Sequence, residues 1–187
     1  MKLNALQEKY LLYRIKYEKD SSAYGKLYDA YIDKIYRYIS FKINQVEDVE
    51  DITAEVFLKV WQYIKTSDKR IDNLNALLYR MARNAVIDHY RSRQRDEMPM
   101  SDQEHYENIM DSREIDMELN VKLDMEKVET YLDHLKEEYR DAIVLRYVEQ
   151  FSVAEIAHIM QKSTSNVRVI LHRALERLRE LTNNKNG

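Results

Sequence analysis

Apolar residues recur every three or four positions along most of the chain, and this spacing predicts amphipathic helices. The first predicted helix covers residues 5–19, and the apolar face assigned to it consists of Leu6, Tyr10, Tyr13 and Tyr17. Ser21 and Ser22 then offer an N-cap for a second helix at about 24–43. Its predicted core positions are Leu27, Tyr31, Ile35, Tyr38 and Ile39.

A third helix is predicted at about 46–64 and a fourth at about 73–95, separated by a polar loop. The third keeps one register through Val49, Ile52, Val56, Val60 and Ile64. Periodicity then stops at about 96–116, a segment that holds the only proline and many acids, and resumes near Leu119. The sequence therefore predicts an all-α protein of two small helical domains, 1–95 and 119–187, joined by a flexible acidic linker at 96–118.

A helix-turn-helix pattern lies in the predicted C-terminal domain. Ser152 and Glu155 have the spacing of a capping box at the start of a short helix. Gln161 and Lys162 form the predicted turn, and a second helix is expected from the polar run 163–166 to about Glu180. This arrangement is typical of DNA-binding domains.

The second of these helices is predicted to separate a core face from a DNA-binding face. The core face comprises Val167, Leu171, Ala174, Leu175 and Leu178. Arginine binds guanine edges and phosphates, and an outward valine can contact a thymine methyl group. The predicted DNA-contacting residues are Ser163, Ser165, Asn166, Arg168, Val169, His172 and Arg173, the first three of them at the phosphate-binding start of the helix. An ordinary helical hairpin with a solvated charged face is the alternative.

Charge is segregated along the chain, although the net charge is only −3. Residues 80–95 hold five arginines and one acid, residues 96–126 hold eleven acids and two bases, and residues 162–180 hold five bases and two acids. Two basic segments therefore flank an acidic one, and a basic segment is the electrostatic signature of a nucleic-acid contact.

Several classes of protein are excluded by composition. Without cysteine there is no disulfide or thiolate zinc site, and the five scattered histidines lack metal-binding spacing. Two glycines cannot form a phosphate-binding loop. No apolar run reaches the roughly 20 residues of a membrane helix. We therefore expect a cytoplasmic protein that is not an enzyme and needs no cofactor or metal.

Three ordered motifs resemble one known family. They are EDVEDITAEVFLKVW at 47–61, LYRMARNAVIDHYR at 78–91, and a C-terminal stretch from LDHLKEEYRDAIVLRYVEQFSVAEIAHIM to LHRALERLREL. In this order they are similar to regions two and four of the sigma-70 superfamily of RNA polymerase sigma factors, in its extracytoplasmic-function (ECF) branch. The resemblance covers about residues 20–95 and 125–181.

The resemblance implies a role for each motif. The first matches the helix that docks on the clamp coiled coil of the polymerase largest subunit, with contact candidates Asp48, Asp51, Glu55 and Phe57. The second matches the helix that binds the unpaired strand of the minus-ten element, with candidates Tyr79, Arg80, Arg83, Asn84, Asp88 and Arg91; the loop before it, about 65–75, takes a flipped base in the family. The third implies that the helix-turn-helix reads the minus-thirty-five element. For Phe57 and Tyr79, core packing is an equally good interpretation.

The resemblance also implies the partners: core RNA polymerase, through its clamp coiled coil and flap region, and promoter DNA. Members of the family are held by anti-sigma factors, so such a partner is expected, although nothing in this sequence identifies one.

The family usually has glycine in the turn, where this chain has Gln161, and serine and arginine at Val169 and Ile170. A helix-turn-helix regulator that acts without joining the polymerase remains the main alternative.

Overall fold

The computed structural model describes residues 3–97, 131–132 and 134–183, with side chains described to residue 92 and again from 131 to 182. Over these ranges the chain forms α-helices and no strand, which confirms the all-α prediction. It divides into two compact units, Met1–Tyr90 and Arg91–Gly187. The predicted linker at 96–118 lies outside the described residues except for its first two positions, which belong to a helix.

Four helices begin in the N-terminal unit, and a polar side chain caps the start of the first, the second and the fourth. Asn4 and Gln7 form a capping box for the first helix. Asp20, and not the predicted serines, caps the second: its carboxylate accepts from the amides of Ser22 and Ala23 at 2.8 and 3.2 Å. The helices are α1 (Ala5–Tyr17), α2 (Ser21–Ser40), α3 (Val46–Thr66) and α4 (Leu74–Glu97).

The core of this unit forms where α1, α2 and α3 pack on one another and where α4 packs on α2 and α3. Every core position predicted for α2 and α3 is buried, including Leu27, Ile35 and Val56, each at 0% exposure. Burying one such side chain contributes about 1.5–3 kcal/mol. The hydrophobic spacing of α2 and α3 was therefore enough to predict which of their faces is inside.

The predicted apolar face of α1 is wrong. Its members Leu6, Tyr10, Tyr13 and Tyr17 are 79, 60, 55 and 65% exposed. The buried residues are instead Leu11 and Ile15, which lie one turn apart on the opposite side of the helix. Aliphatic side chains fill the contact with α2 and α3, and the tyrosines are left facing solvent.

The C-terminal unit contains three described helices. They are α5 (Glu137–Ile143), which continues as a π-helical turn (Val144–Val148), α6 (Val153–Met160) and α7 (Thr164–Asn183). Arg146 on the π-helical turn donates to the carbonyl of Phe151 at 2.9 Å and so ties α5 to the start of α6. Both α5 and α6 pack against α7, and the buried sides of all three helices contribute to the core.

The predicted helix-turn-helix is present in α6 and α7. Ser152 and Glu155 form the predicted capping box: the Ser152 amide donates to the Glu155 carboxylate at 2.9 Å, and the Glu155 amide donates to the Ser152 hydroxyl at 3.3 Å. The turn passes through Gln161 in the left-handed conformation, at φ 56° and ψ 43°. An L-residue in that conformation costs about 1–2 kcal/mol, which explains why glycine is favoured at such a position.

Candidate nucleic-acid and polymerase interfaces

The outer face of α7 carries the predicted DNA-contacting side chains. Arg168 and Arg173 are exposed, Val169 is 41% exposed, and all five predicted core residues on the opposite face are buried. His172 lies on the same outer face, with its Nδ1 3.3 Å from the carboxylate of Glu176. The helix therefore presents two cations and one apolar tip to solvent on a rigid support, which is the arrangement that base-edge and phosphate contacts require.

The start of α7 is also exposed, and a serine side chain next to it caps its first turn. The Ser163 hydroxyl accepts from the Asn166 amide at 3.1 Å, and Ser163, Ser165 and Asn166 are all exposed. The first-turn amides of a helix have no partner inside the helix and carry the positive end of its dipole. This end of α7 is therefore suited to a phosphate group.

An ion pair fixes the turn before α7. Lys162 Nζ lies 2.6 Å from Glu138 Oε1 on α5, and both side chains are about one quarter exposed or less. The Lys162 amide also donates to the carbonyl of Ala157 at 2.9 Å. These contacts hold the unfavourable Gln161 backbone in place, and they set the position of α7 relative to α5 and α6.

The polar face of α4 gathers most of the predicted minus-ten contacts. Arg80, Asn84, Asp88 and Arg91 recur at helical spacing, and all but the half-buried Arg80 are exposed. Arg83 lies beside them and is half-buried. These side chains form one polar surface, because the opposite face, with Ala82 and Val86, is buried.

Tyr79 does not belong to this surface. It is 1% exposed, and its ring packs edge-on against Tyr38 on α2, with the ring centroids 5.1 Å apart. A base cannot stack on it while it is in the core. Core packing is therefore the interpretation that the structure supports for Tyr79, and we do not include it among the DNA contacts proposed below.

One flank of α3 carries the predicted acidic polymerase contacts. Asp51 and Glu55 are exposed, and Glu55 pairs with Lys59 at 2.6 Å. Asp48 is half-buried, and its carboxylate lies 3.7 Å from Nε2 of His89 on α4. Asp48 therefore connects α3 to α4 as well as contributing to the acidic flank.

Phe57 is likewise a core residue. It is 3% exposed, and its ring lies 4.7 Å from that of Tyr28. The next residue, Leu58, is 56% exposed and lies on the same flank as Asp51, two turns along. The sequence analysis did not select Leu58, because this residue lies outside the apolar register of α3. A leucine outside that register is expected to face solvent, so the sequence did contain a signal for its exposure.

The described residues contain no helix long and apolar enough to cross a membrane. In the same part of the chain, no group of three or more acidic or histidine side chains is arranged to hold a metal ion.

Comparison with protein families matches both units. Residues 27–96 match the model "Sigma-70 region 2", and residues 125–178 match "Sigma-70, region 4". Two helical units that carry these regions in this order define the chain as an RNA polymerase sigma factor. It belongs to the sigma-70 family, and within it to the ECF branch.

Two relatives support the assignment to the ECF branch. The chain is 31% identical to the ECF RNA polymerase sigma factor BldN of Streptomyces coelicolor over 87% of its own length and 61% of that protein. It is 28% identical to the ECF RNA polymerase sigma factor SigM of Bacillus subtilis over 84% of its own length and 94% of that protein. The chain thus spans less than two thirds of the first relative and nearly all of the second.

A solved structure shares the fold. It is the sigma factor RpoE of Bartonella quintana in complex with the anti-sigma factor NepR, with a TM-score of 0.64, 22% identity, and coverage of 85% of this chain and 96% of that one.

Proposed function

We propose that this chain binds core RNA polymerase and directs it to promoters, where it stabilises the melted DNA. The observation that carries the proposal is the presence of two sigma regions on separate helical units, with arginines on the polar face of α4 and on the outer face of α7. A regulator that acted alone would need only the helix-turn-helix, so the N-terminal unit favours polymerase binding over that alternative.

In this proposal α7 docks on duplex DNA at the upstream promoter element. Arg168, His172 and Arg173 contact base edges and phosphates, and Val169 contacts a methyl group. Ser163, Ser165 and Asn166 hold a phosphate at the start of the helix. Ile170, a position where the family resemblance implies a polar residue, is 4% exposed and packs in the core.

The polar face of α4 would bind the unpaired strand of the downstream element. Arg80, Arg83 and Arg91 supply charge to the phosphates, and Asn84 can hydrogen-bond a base edge. Asp88 is the one acid on this face, and it accepts hydrogen bonds from exocyclic amino groups. Strand separation is driven by this binding energy, so the chain acts without catalysis of its own and without a cofactor.

The acidic flank of α3 would dock on the polymerase clamp. Asp51 and Glu55 supply charge complementarity, and the neighbouring Leu58 supplies an apolar contact in place of the buried Phe57. The C-terminal unit would contact the flap region. An anti-sigma factor that covers these surfaces is a further expected partner, and promoter binding would place the protein at the nucleoid.

The test is run-off transcription by bacterial core polymerase, with and without the full chain, on promoter fragments from the same genome. Discrete transcripts that require the chain are expected. An Arg168→Ala/Arg173→Ala variant should lose them, whereas Arg177→Ala, which removes an exposed arginine paired with Glu180, should keep them. Absence of any transcript, together with failure to co-migrate with core polymerase, would leave a free-standing helix-turn-helix regulator as the better explanation.

A further inference from the structure

The turn between α6 and α7 is held in an unusual way. A helix that ends on a left-handed residue usually has glycine there, and the residue after it often makes an apolar contact back onto the helix. In this chain the left-handed residue is Gln161, and the next residue is Lys162. The backbone strain at the first position therefore calls for a different contact at the second.

An ion pair with α5 supplies that contact. Lys162 Nζ lies 2.6 Å from Glu138 Oε1, and the two side chains are 24 and 20% exposed. Glu138 belongs to the first turn of α5, which packs against α7. Because both groups are largely withdrawn from water, salt screens this pair less than it screens a surface pair, and removing one partner leaves a partly buried charge.

The turn is joined to α6 as well. The Lys162 amide donates to the carbonyl of Ala157 on α6 at 2.9 Å. This bond fixes the backbone of the turn against one helix, whereas the ion pair fixes the side chain of the same residue against another. Lys162 is therefore anchored to both of the helices that pack on α7.

The ion pair lies directly before the helix that carries the proposed DNA contacts. Ser163, the next residue, caps α7: its hydroxyl accepts from the Asn166 amide at 3.1 Å, and its carbonyl accepts from the Val167 amide at 3.0 Å. A helix is rigid, so a change in the direction of its start displaces Arg168 and Arg173 relative to the DNA that they are proposed to contact. The geometry of the turn thus controls the aim of the recognition face.

We propose that Glu138 and Lys162 are positioning residues for promoter recognition, and that their ion pair sets the direction of α7 while Lys162 itself does not contact DNA. This inference rests on the proposed function, in which α7 docks on the upstream element. It gives α5, which carries none of the proposed DNA contacts, a part in reading that element.

The test measures binding of holoenzyme, assembled from core polymerase and the full chain, to a promoter fragment found by run-off transcription, at several salt concentrations. Glu138→Gln keeps the shape of the side chain and should weaken binding about 3- to 10-fold, because the ion pair is lost. Charge alone predicts the opposite, since removing an acid from a DNA-binding unit favours an anionic ligand. Lys162→Met should weaken binding by a similar factor, with the salt slope of wild type.

The exchanged pair separates positioning from DNA contact. Glu138→Lys/Lys162→Glu keeps the net charge and can form the same ion pair in reverse, so affinity should return to within about twofold of wild type. If Lys162 contacted a phosphate, the exchanged variant would stay as weak as Lys162→Met and the salt slope would fall by about 1, which would overturn the proposal. Binding by Glu138→Gln as tight as wild type, or tighter, would also overturn it.

Glu137→Gln is the matched control. Glu137 is an exposed acid in the same first turn of α5, so its removal should leave binding at least as tight as wild type. A loss equal to that of Glu138→Gln would mean that the charge of α5, and not its pairing with Lys162, affects the DNA, and the proposal would be wrong.

Hydrogen exchange of the free chain shows the effect of the pair without DNA. In Glu138→Gln the hydrogen-bonded amides of Lys162 and Asn166 should exchange faster, whereas the amides of the middle of α7 should keep their protection. Loss of protection throughout the C-terminal unit would assign the weaker binding to unfolding and would overturn the positioning role.

Failure of this proposal differs from failure of the proposed function. Wild-type holoenzyme that binds no promoter overturns the proposed function, and the positioning role in promoter recognition with it. Wild-type holoenzyme that binds and opens promoters normally, with Glu138→Gln equal to it in affinity and in exchange at the turn, overturns the positioning role alone.

Discussion

The helices α4 and α7 both carry an arginine-bearing face, but they relate to their cores differently. On α7 the residues predicted to contact DNA and those predicted to pack inside fall on opposite sides, and all five core predictions are buried. On α4 the predicted contact set contains one residue, Tyr79, that lies in the core at 1% exposure. The same mixing occurs on α3, where Phe57 is buried and its neighbour Leu58 is exposed.

The difference follows from how burial is distributed around each helix. The buried positions of α7 keep to three- and four-residue spacing and leave one whole side exposed. On α4 the four consecutive residues 76–79 are buried, so burial extends around the start of this helix and includes the Tyr79 ring. A residue matched to a family motif can therefore be essential for the fold without contacting a partner.

The sharpest test of this contrast is the removal of the Tyr79 ring. Tyr79→Ala should lower the free energy of unfolding of the N-terminal unit by about 3–5 kcal/mol, because it leaves a cavity against Tyr38. Urea unfolding followed by fluorescence of Trp61, the only tryptophan in the chain and a residue of α3, reports on this unit directly. The exposed Arg91→Ala should change stability by less than about 0.5 kcal/mol.

Tyr79→Phe completes the test, since it keeps the ring and removes only the hydroxyl. It should retain most of the stability. A Tyr79→Ala variant that unfolds within about 1 kcal/mol of wild type would show that the ring is not part of the core, and would restore it as a candidate for base stacking.

The second effect in size concerns α7. Arg168→Ala and Arg173→Ala should each weaken holoenzyme binding to the upstream element by about 1–3 kcal/mol, with little change in stability, because both side chains are exposed. Binding measured over a range of salt concentrations separates two roles: loss of a phosphate contact lowers the salt slope by about 1, whereas loss of a base contact relaxes sequence preference.

Arg177→Ala serves as the control for α7, since Arg177 pairs with Glu180 at 2.7 Å on the same helix. If all three substitutions weakened binding equally, the effect would reflect the general charge of the helix and not a defined recognition face.

On α3, Leu58 and Phe57 are adjacent residues with opposite expected roles. Leu58→Ala should weaken binding to core polymerase by about 1–2 kcal/mol without destabilising the protein, because its side chain is 56% exposed beside the acidic flank. Affinity can be measured by titrating labelled chain with core polymerase. Glu50→Ala, an exposed acid on another side of α3, should have no effect; a loss equal to that of Leu58→Ala would contradict the assigned contact surface.

The smallest expected effect is a gain in stability at the turn. Gln161→Gly should stabilise the C-terminal unit by about 0.5–1 kcal/mol, because glycine adopts the left-handed conformation without strain, and its greater freedom in the unfolded chain offsets part of that gain. Hydrogen exchange of the α6 and α7 amides measures the change within this unit.

Arg177→Gly should instead destabilise the C-terminal unit by about 1 kcal/mol, because residue 177 is an exposed position inside α7, where glycine is unfavourable. Slower exchange in both variants, or faster exchange in both, would mean that the conformation of residue 161 is not what limits stability at the turn.

Much of this molecule was determined by local sequence. The periodicity of α2, α3 and α7 predicted their buried faces, and the Ser152 capping box marked the start of α6, because these features depend only on residues within one helix. The order of the three motifs was enough to indicate the family. The predicted residue assignments on the exposed faces of α4 and α7 remain proposals, which the experiments above test.

Tertiary structure decided what one helix cannot determine by itself. On α1 the sequence contains two candidate apolar faces, one of tyrosines and one formed by Leu11 and Ile15, and only packing against α2 and α3 selected the aliphatic one. The rings of Tyr79 and Phe57 are likewise buried because neighbouring helices pack against them. Periodicity determines the direction in which each side chain points from the axis of its helix. Burial depends on which other helices pack against that side and how closely they pack.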